Sequence, residues 1–491
     1  MEGILMSIDK SVAAELASEA MEEFMKMAMD REEVLWSQGH GGKEALIYKE
    51  YLNQFTSAGM GQSSPDLKTD ATRATAMVFI KSLSLVEALM NMKQWKDMLC
   101  CIVSRAITVD VISSGSGGSL DGALLLIYAE LQVLSPLVPT RDVFFLRFCK
   151  QHKEGVWAVV DVSVDSLTES LSSSSLKCRK RPSGCLIQDM PNGFSKVTWV
   201  EHWEYDESEI HSLYRPFISS GMGFGAHRWL ATLQRQTERL ATELATPHLQ
   251  NMVVGGRVDG GRSLLKVAER MRNNFCSIVN HSTLHNGSQV LGLKDGGVRV
   301  ATRKRSDDPR KPPAGVLSAA ASIWLPVSPE RLFDFLRDGR LRNEWDMLSN
   351  GGPMHETAYI ATGQDPGNNV SLLTASAQSK TLILQESCKD SSGFLVVYSP
   401  VDISQLNEVI NGEEDSAYVD LLPCGFSILP PGSQVEVDDS NKENGALLTV
   451  VIQITVSTYN PRKARLTAES VKTVSNLISC TVRKIKSALS L

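Results

Sequence analysis

Lys196-Val-Thr-Trp-Val-Glu-His-Trp-Glu-Tyr205, with Ala226–Leu244 a little further on, decides the fold. The first stretch has a period of two: Val197, Trp199, Glu201, Trp203 and Tyr205 share one face of a strand, and Val200 and His202 take the other. The second has a helical period, with Ala226, Leu230, Leu233, Leu240 and Leu244 on one side. Upstream, further strands are predicted at Ala106–Ile112, Ala123–Val133, Val143–Cys149, Val156–Val162 and Gly184–Gln188. Turns such as His152-Lys-Glu-Gly155 and Met190-Pro-Asn-Gly193 separate them, and connections this short join antiparallel neighbours. An antiparallel sheet closed by one long amphipathic helix is an α+β arrangement.

The chain before this sheet supplies an amphipathic helix over residues 10–30, a strand over 71–80, a short helix at Leu83–Met92, and then Gln94-Trp95. After it, residues 247–262 hold Pro247, Gly255-Gly256 and Gly260-Gly261, a composition that reads as a linker. The same order then recurs. A helix starts near Ser263, a strand runs over Ala319–Leu325, and a short helix over Glu330–Asp338 leads to Glu344-Trp345-Asp346. Strands follow at His355–Ala361, Val370–Ala375, Thr381–Glu386, Phe394–Tyr398 and Leu447–Ser457, and the end is a helix at Ala468–Leu489. The expectation is a duplicated architecture: one domain over 1–246, a linker over 247–262 and a second domain over 263–491.

Composition excludes several classes. The 491 residues are 42% apolar and 22% charged, which is neither disordered nor fibrous. Fifty basic against 56 acidic side chains disfavours a strongly basic nucleic-acid binder. The most apolar run, Gly445–Pro461, is too short and too strand-like to span a membrane. Nine scattered cysteines read as free, mostly buried thiols. Neither a G-x-x-x-x-G-K-[ST] loop, nor a G-x-S-x-G elbow, nor H-E-x-x-H occurs, so no enzyme, cofactor or metal site is expected. The i, i+4 pair His281 and His285 lacks an evident third ligand.

Particular stretches carry a resemblance. They include Leu134-Ser-Pro-Leu-Val-Pro-Thr-Arg-Asp142, Trp157-Ala-Val-Val-Asp-Val-Ser163, Arg181-Pro-Ser-Gly-Cys-Leu-Ile187, Lys196–His202 and Gly223-Phe-Gly-Ala-His-Arg-Trp229. Through them residues ~9–245 resemble the START (steroidogenic acute regulatory protein-related lipid transfer) domain of plant class IV homeodomain–leucine zipper transcription factors. Trp324-Leu-Pro-Val-Ser-Pro329, Leu348-Ser-Asn-Gly351 and Gly425-Phe-Ser-Ile428 make residues ~263–491 similar to the START-adjacent region of those factors. The resemblance implies two tandem START-like helix-grip domains, each a curved antiparallel sheet with a long C-terminal helix packed over it. It also implies a lipid or sterol ligand, nuclear localisation, and homo- or heterodimers with related factors. A closed, ligand-free interaction module is the alternative. Met1–Asp9 lead straight into the first helix without an Arg/Lys-rich recognition helix, so no sequence-specific DNA binding is expected of this chain alone.

Six residues are candidates for the ligand site. START domains place an acid and a base at the positions of Glu130 and Arg147, and two opposite charges in an apolar cavity are expected to pair with each other. Glu201 or His202 is expected to face the cavity from its strand, with Trp229 and Leu233 forming the roof from the closing helix. Thr140-Arg141-Asp142 reads as an ion-paired turn, and Trp95 and Trp345 as packing residues. Lys177-Cys-Arg-Lys-Arg181 reads as a solvated basic loop, with nuclear import or phosphate contact as its functional alternative.

Overall fold

The computed structural model describes residues 9–29, 34–38, 44–55, 67–164, 178–245, 260–279, 290–291, 298–304, 315–347, 353–375, 380–432, 445–456 and 468–491. These form two compact units, one of Met1–Val133 and Val138–Glu238 and the other of Leu134–Leu137 and Arg239–Leu491, so the last turns of the helix Ala226–Ala245 fall to the second.

In the first unit the strands are Trp36–Gln38 (β1), Glu44–Leu46 (β2), Lys68–Val78 (β3), Val103–Ser114 (β4), Ala123–Leu131 (β5), Arg141–Lys153 (β6), Val156–Ser163 (β7), Cys178–Lys180 (β8), Ser183–Asp189 (β9) and Ser195–Tyr205 (β10). All pairings are antiparallel, and the sheet runs β1-β2-β3-β10-β9-β7-β6-β5-β4, with β8 added beside β10. Helix α1 (Lys10–Met29) lies on one face of this sheet. Its Leu16, Phe24 and Met27 are buried with Leu126, Leu146, Val160 and Val200, each such apolar side chain contributing roughly 1.5–3 kcal/mol. Short helices α2 (Tyr48–Gln54), α3 (Ser82–Met90), α4 (Met92–Met98) and α5 (Arg215–Ser219) fill the connections, and α6 (Ala226–Ala245) packs on the opposite face. Asn91 caps α4 by accepting from the backbone N–H groups of Lys93 and Gln94, which sets Trp95 in the first turn.

The second unit opens with α7 (Gly260–Val279), which begins three residues before the expected Ser263. Its strands are Val290–Leu291 (β11), Arg299–Lys304 (β12), Gly315–Leu325 (β13), His355–Ala361 (β14), Asn369–Thr374 (β15), Thr381–Asp390 (β16), Gly393–Asp402 (β17), Cys424–Leu429 (β18) and Ala446–Val456 (β19). Helices α8 (Pro329–Arg337), α9 (Ile403–Ile410) and α10 (Ala468–Leu489) complete it, with a 3-10 turn at Gly339–Glu344. The sheet order is β11-β12-β13-β19-β18-β17-β16-β15-β14. Strand for strand this is the path of the first sheet, so the expected duplication is present as topology. Val474, Ile478 and Ile485 of α10 close the core over Trp345, Phe426 and Val450.

One backbone detail recurs in both sheets. Gly184 on β9 has φ 142°, and a Cβ there would lie 2.0 Å from the Val159 carbonyl oxygen on β7. Gly425 on β18 has φ 158°, and its Cβ would lie 2.3 Å from the Val396 carbonyl oxygen on β17. Only glycine permits that approach. None of the nine cysteines forms a disulfide, and eight are buried. No helix among the described residues is long and apolar enough to cross a membrane. The residues between α6 and α7, and His281 with His285, lie outside the described residues.

Candidate site between the first sheet and its closing helix

The face of the first sheet under α6 carries charge as well as apolar surface. From β6 come Arg141, Phe145 and Arg147, from β7 Asp161, from β8 Lys180, and from β10 Trp199, Glu201 and Trp203. Strand alternation places them, because their neighbours Leu146, Val160 and Val200 pack on the α1 face. Trp229 and Leu233, on α6, are fully buried.

Aromatic rings form the centre. Trp229 lies between Trp95 and Trp199, with centroids 6.1 and 5.3 Å away and interplanar angles of 8° and 15°. The Arg147 guanidinium sits 4.0 Å above the Trp95 ring, and the Lys180 ammonium lies 5.3 Å from Trp203 and 5.5 Å from both Phe145 and Trp229.

A chain of buried charges threads these rings. Arg147 donates from Nε to Asp161 Oδ1 (2.8 Å) and from Nη2 to Oδ2 (2.9 Å), and its Nη1 donates to the Leu89 carbonyl (2.7 Å). Lys180 Nζ bridges Asp161 Oδ2 at 3.0 Å and Glu201 Oε1 at 3.5 Å. The two indole N–H groups of Trp199 and Trp203 donate to the two Glu201 oxygens at 2.8 and 2.7 Å. Burial pushes the Asp161 carboxyl up, but Arg147 and Lys180 outweigh it and hold the group below the usual carboxylate range. For Glu201 burial wins over Lys180, and its carboxyl is raised.

Glu130 and Arg147 do not pair. Arg147 is in register with Leu125 and Glu130 with Asp142, so the two side chains point to opposite faces of the sheet. Glu130 accepts instead from Tyr128 Oη (3.0 Å) and Arg105 Nη1 (3.4 Å). His202 also leaves the site. It faces α1, edge-on to the Tyr51 ring at 5.0 Å, with both ring nitrogens buried and unpartnered. Of the six candidates, Arg147, Glu201, Trp229 and Leu233 are therefore brought together, and Glu130 and His202 are not.

Three members were missed from the sequence. Asp161 was legible as a lone acid in the apolar run Trp157–Ser163. Lys180 was hidden in a basic run that reads as a solvated loop, yet it is 2% exposed and its neighbour Arg181 5%. Arg141 makes no ion pair with Asp142. Its guanidinium is buried against Phe224 (4.0 Å), Tyr205 (4.3 Å) and Trp203 (5.1 Å), and Nη1 and Nη2 have no hydrogen-bond partner. Burial lowers its pKa, against the opposing pull of Cys178, Tyr205, Asp70 and Glu201. A guanidinium in this state offers four N–H donors to a phosphate, carboxylate or hydroxyl oxygen, with aromatic walls for the apolar remainder.

Comparison with known proteins adds the context. A START domain model matches residues 15–239, and a model described as PDF2-like, C-terminal domain, matches residues 257–491. The chain is 53% identical to homeobox-leucine zipper protein ANTHOCYANINLESS 2 of Arabidopsis thaliana, over 99% of this chain and 61% of that protein. It is 43% identical to homeobox-leucine zipper protein HDG12 of the same plant, over 99% of this chain and 70% of that one. The chain thus spans about 60% of the length of the first relatives it matches. Among solved structures, human StAR-related lipid transfer protein 5 aligns along its whole length with 48% of this chain, at 16% identity and a TM-score of 0.33.

Proposed function

The chain belongs to the class IV homeodomain–leucine zipper family, and from that premise we propose that its first unit is a lipid- or sterol-binding regulatory module of a transcription regulator. The ligand lies between the first sheet and α6, and its occupancy biases the stability of the chain or its choice of partner. Arg141 carries this reading: a buried guanidinium with two unpartnered nitrogens, walled by three aromatic rings, is an anchor for the oxygen of a lipid head group. Arg147 and Glu201, the other charged candidates, are paired within the protein and act as the rigid frame that positions the aromatic walls. Trp229 and Leu233 contact the apolar part of the ligand. Ligand at a hundred to a thousand times its Kd would stabilise the chain by about 3–4 kcal/mol, enough to govern abundance.

The division into 1–246, linker and 263–491, nuclear localisation, dimerisation with related factors and the absence of catalysis belong to the same proposal. The stacked Trp95, Trp229 and Trp199 favour one other reading, a closed core that serves protein contacts alone. Native mass spectrometry of the purified full chain separates the two. A stoichiometric adduct that releases a lipid on denaturation is expected. Neither adduct nor thermal shift across a panel of sterols, ceramides and phospholipids would leave the closed core standing.

A further inference from the structure

The second unit holds a site of its own. A cavity of about 490 Å³ lies on the face of the second sheet where β14, β15 and β16 meet the end of α8 and the 3-10 turn after it. Its size is within the roughly 300–1,000 Å³ of small-molecule sites. Its character differs from that of the apolar core beside it.

The floor is polar. Ser371 and Asn369 on β15 are in register with Gln385 and Ser387 on β16, so all four side chains reach the cavity side by side. They are between 1% and 5% exposed. Gln385 is held at both ends, donating to the Arg337 carbonyl (2.8 Å) and accepting from Arg342 Nη1 (3.3 Å). Ser387 is not held. The residue lines the cavity, and its hydroxyl is buried with no hydrogen-bond partner. A buried hydroxyl with nothing to bond is costly, and Ser387 differs in this from Asn369, which donates from Nδ2 to the Pro366 carbonyl (3.3 Å).

Charge on the walls sets the class of ligand. Arg337 is paired with Asp334 (2.9 Å) and Arg340 with Asp338 (2.7 Å), so neither cation is left over for an anion. Glu356 on β14 has no basic partner among the described residues, and burial together with Asp338 raises its carboxyl. The wall carries three acids against two arginines and His355, and with both arginines taken up by aspartates it has no free guanidinium to attract a phosphate or carboxylate. Tyr359, in register with Ser371, adds an exposed ring beside these groups.

We propose that this cavity binds a neutral, hydroxyl-rich ligand of sugar or polyol size, whose hydroxyls bond to Ser387, Ser371, Asn369 and Glu356. Such a group reaches the site either as a free sugar or as the head group of a neutral glycolipid.

Saturation-transfer difference NMR on the full chain tests this with D-glucose and myo-inositol, with glucose 6-phosphate as the anionic control. A parallel arm uses phosphatidylcholine vesicles with and without monogalactosyldiacylglycerol, read by co-sedimentation. Transfer to a free polyol, or sedimentation only with the galactolipid, supports the proposal and identifies the source. Glu356→Gln, on the half-open wall, and Ser387→Ala, which adds no volume, should each weaken the positive signal about fivefold, the worth of one hydrogen bond. Failure of both arms overturns it. So does binding of glucose 6-phosphate as tight as that of glucose, or binding untouched by both substitutions in protein with a wild-type melting profile.

Discussion

Arg147 grips Asp161 across β6 and β7 through two parallel hydrogen bonds while its guanidinium lies over Trp95. The pair is buried and joined to Lys180 and Glu201, so it acts as one unit of the fold's interior. Arg147→Met leaves Asp161 short of its main partner and is expected to lower stability by about 3–5 kcal/mol. Urea denaturation followed by tryptophan fluorescence measures it. The double change Arg147→Met with Asp161→Leu should recover part of the loss, because two desolvated charges are then removed together. A loss below about 1 kcal/mol in the single variant would contradict the account.

Arg141 calls for the opposite expectation. Its Nη1 and Nη2 make no hydrogen bond, so Arg141→Leu gives up cation–π contacts but also removes a buried, desolvated charge, and should leave stability unchanged or raise it by up to about 2 kcal/mol. Lipid retention in the same native mass spectra should fall roughly tenfold, the cost of one charge-assisted hydrogen bond. Unchanged retention would reduce Arg141 to a packing residue.

Glu23 on α1 and His202 beneath that helix, which share the neighbour Tyr51, give the first unit opposing pH dependences. Burial lifts the Glu23 carboxyl, which accepts from Tyr51 Oη at 2.7 Å, to about 7, and burial depresses His202 to about 3. Glu23 is raised above its unfolded value of 4.5, so its contribution is complete below that pH and is lost as pH climbs to about 7, roughly 3 kcal/mol in all. His202 is lowered from 6.5, so its neutral form favours folding above that pH and the benefit disappears as pH falls toward 3. Glu23→Gln should abolish the loss between about pH 5 and 7 and leave the acid-side loss intact. Chemical denaturation at stepped pH reads both limbs, and a variant with the wild-type slope on the neutral side would assign that limb elsewhere.

Gly184→Ala and Gly425→Ala are expected to destabilise their own units by at least about 2 kcal/mol each, since a methyl group would meet the Val159 or Val396 carbonyl oxygen at an unfavourable φ. Limited proteolysis of each variant should release fragments from the unit that carries the substitution. Equal resistance to wild type would mean that the β9 and β18 backbones relax freely.

The architecture was largely legible because it depends on period. Val197–Tyr205 and Ala226–Leu244 declared their type and their faces, and the two faces of β10 are those the alternation gave. Short elements escaped: β1, β2 and β8 are three residues each, too brief for any period to emerge. The site was legible only in part. Alternation says which residues share a face on one strand, but whether Glu130 meets Arg147 depends on register between strands, and register put them on opposite faces. Arg141 looks like half of a local ion pair beside Asp142. Its true neighbours, Trp203, Tyr205 and Phe224, come from the far end of the domain, and no local pattern announces them.

The shared strand path also bears on how the chain is made. In both sheets the early strand, β3 or β13, takes its inner neighbour from the last strand of its unit, β10 or β19. A nascent chain leaving the ribosome therefore carries β1–β3 with one open edge until nearly the whole unit has been synthesised. The ladder that completes the sheet is also the most non-local one, so each unit is expected to fold late and all at once. During translation, the exposed edge of β3, and later that of β13, is where a chaperone would be needed.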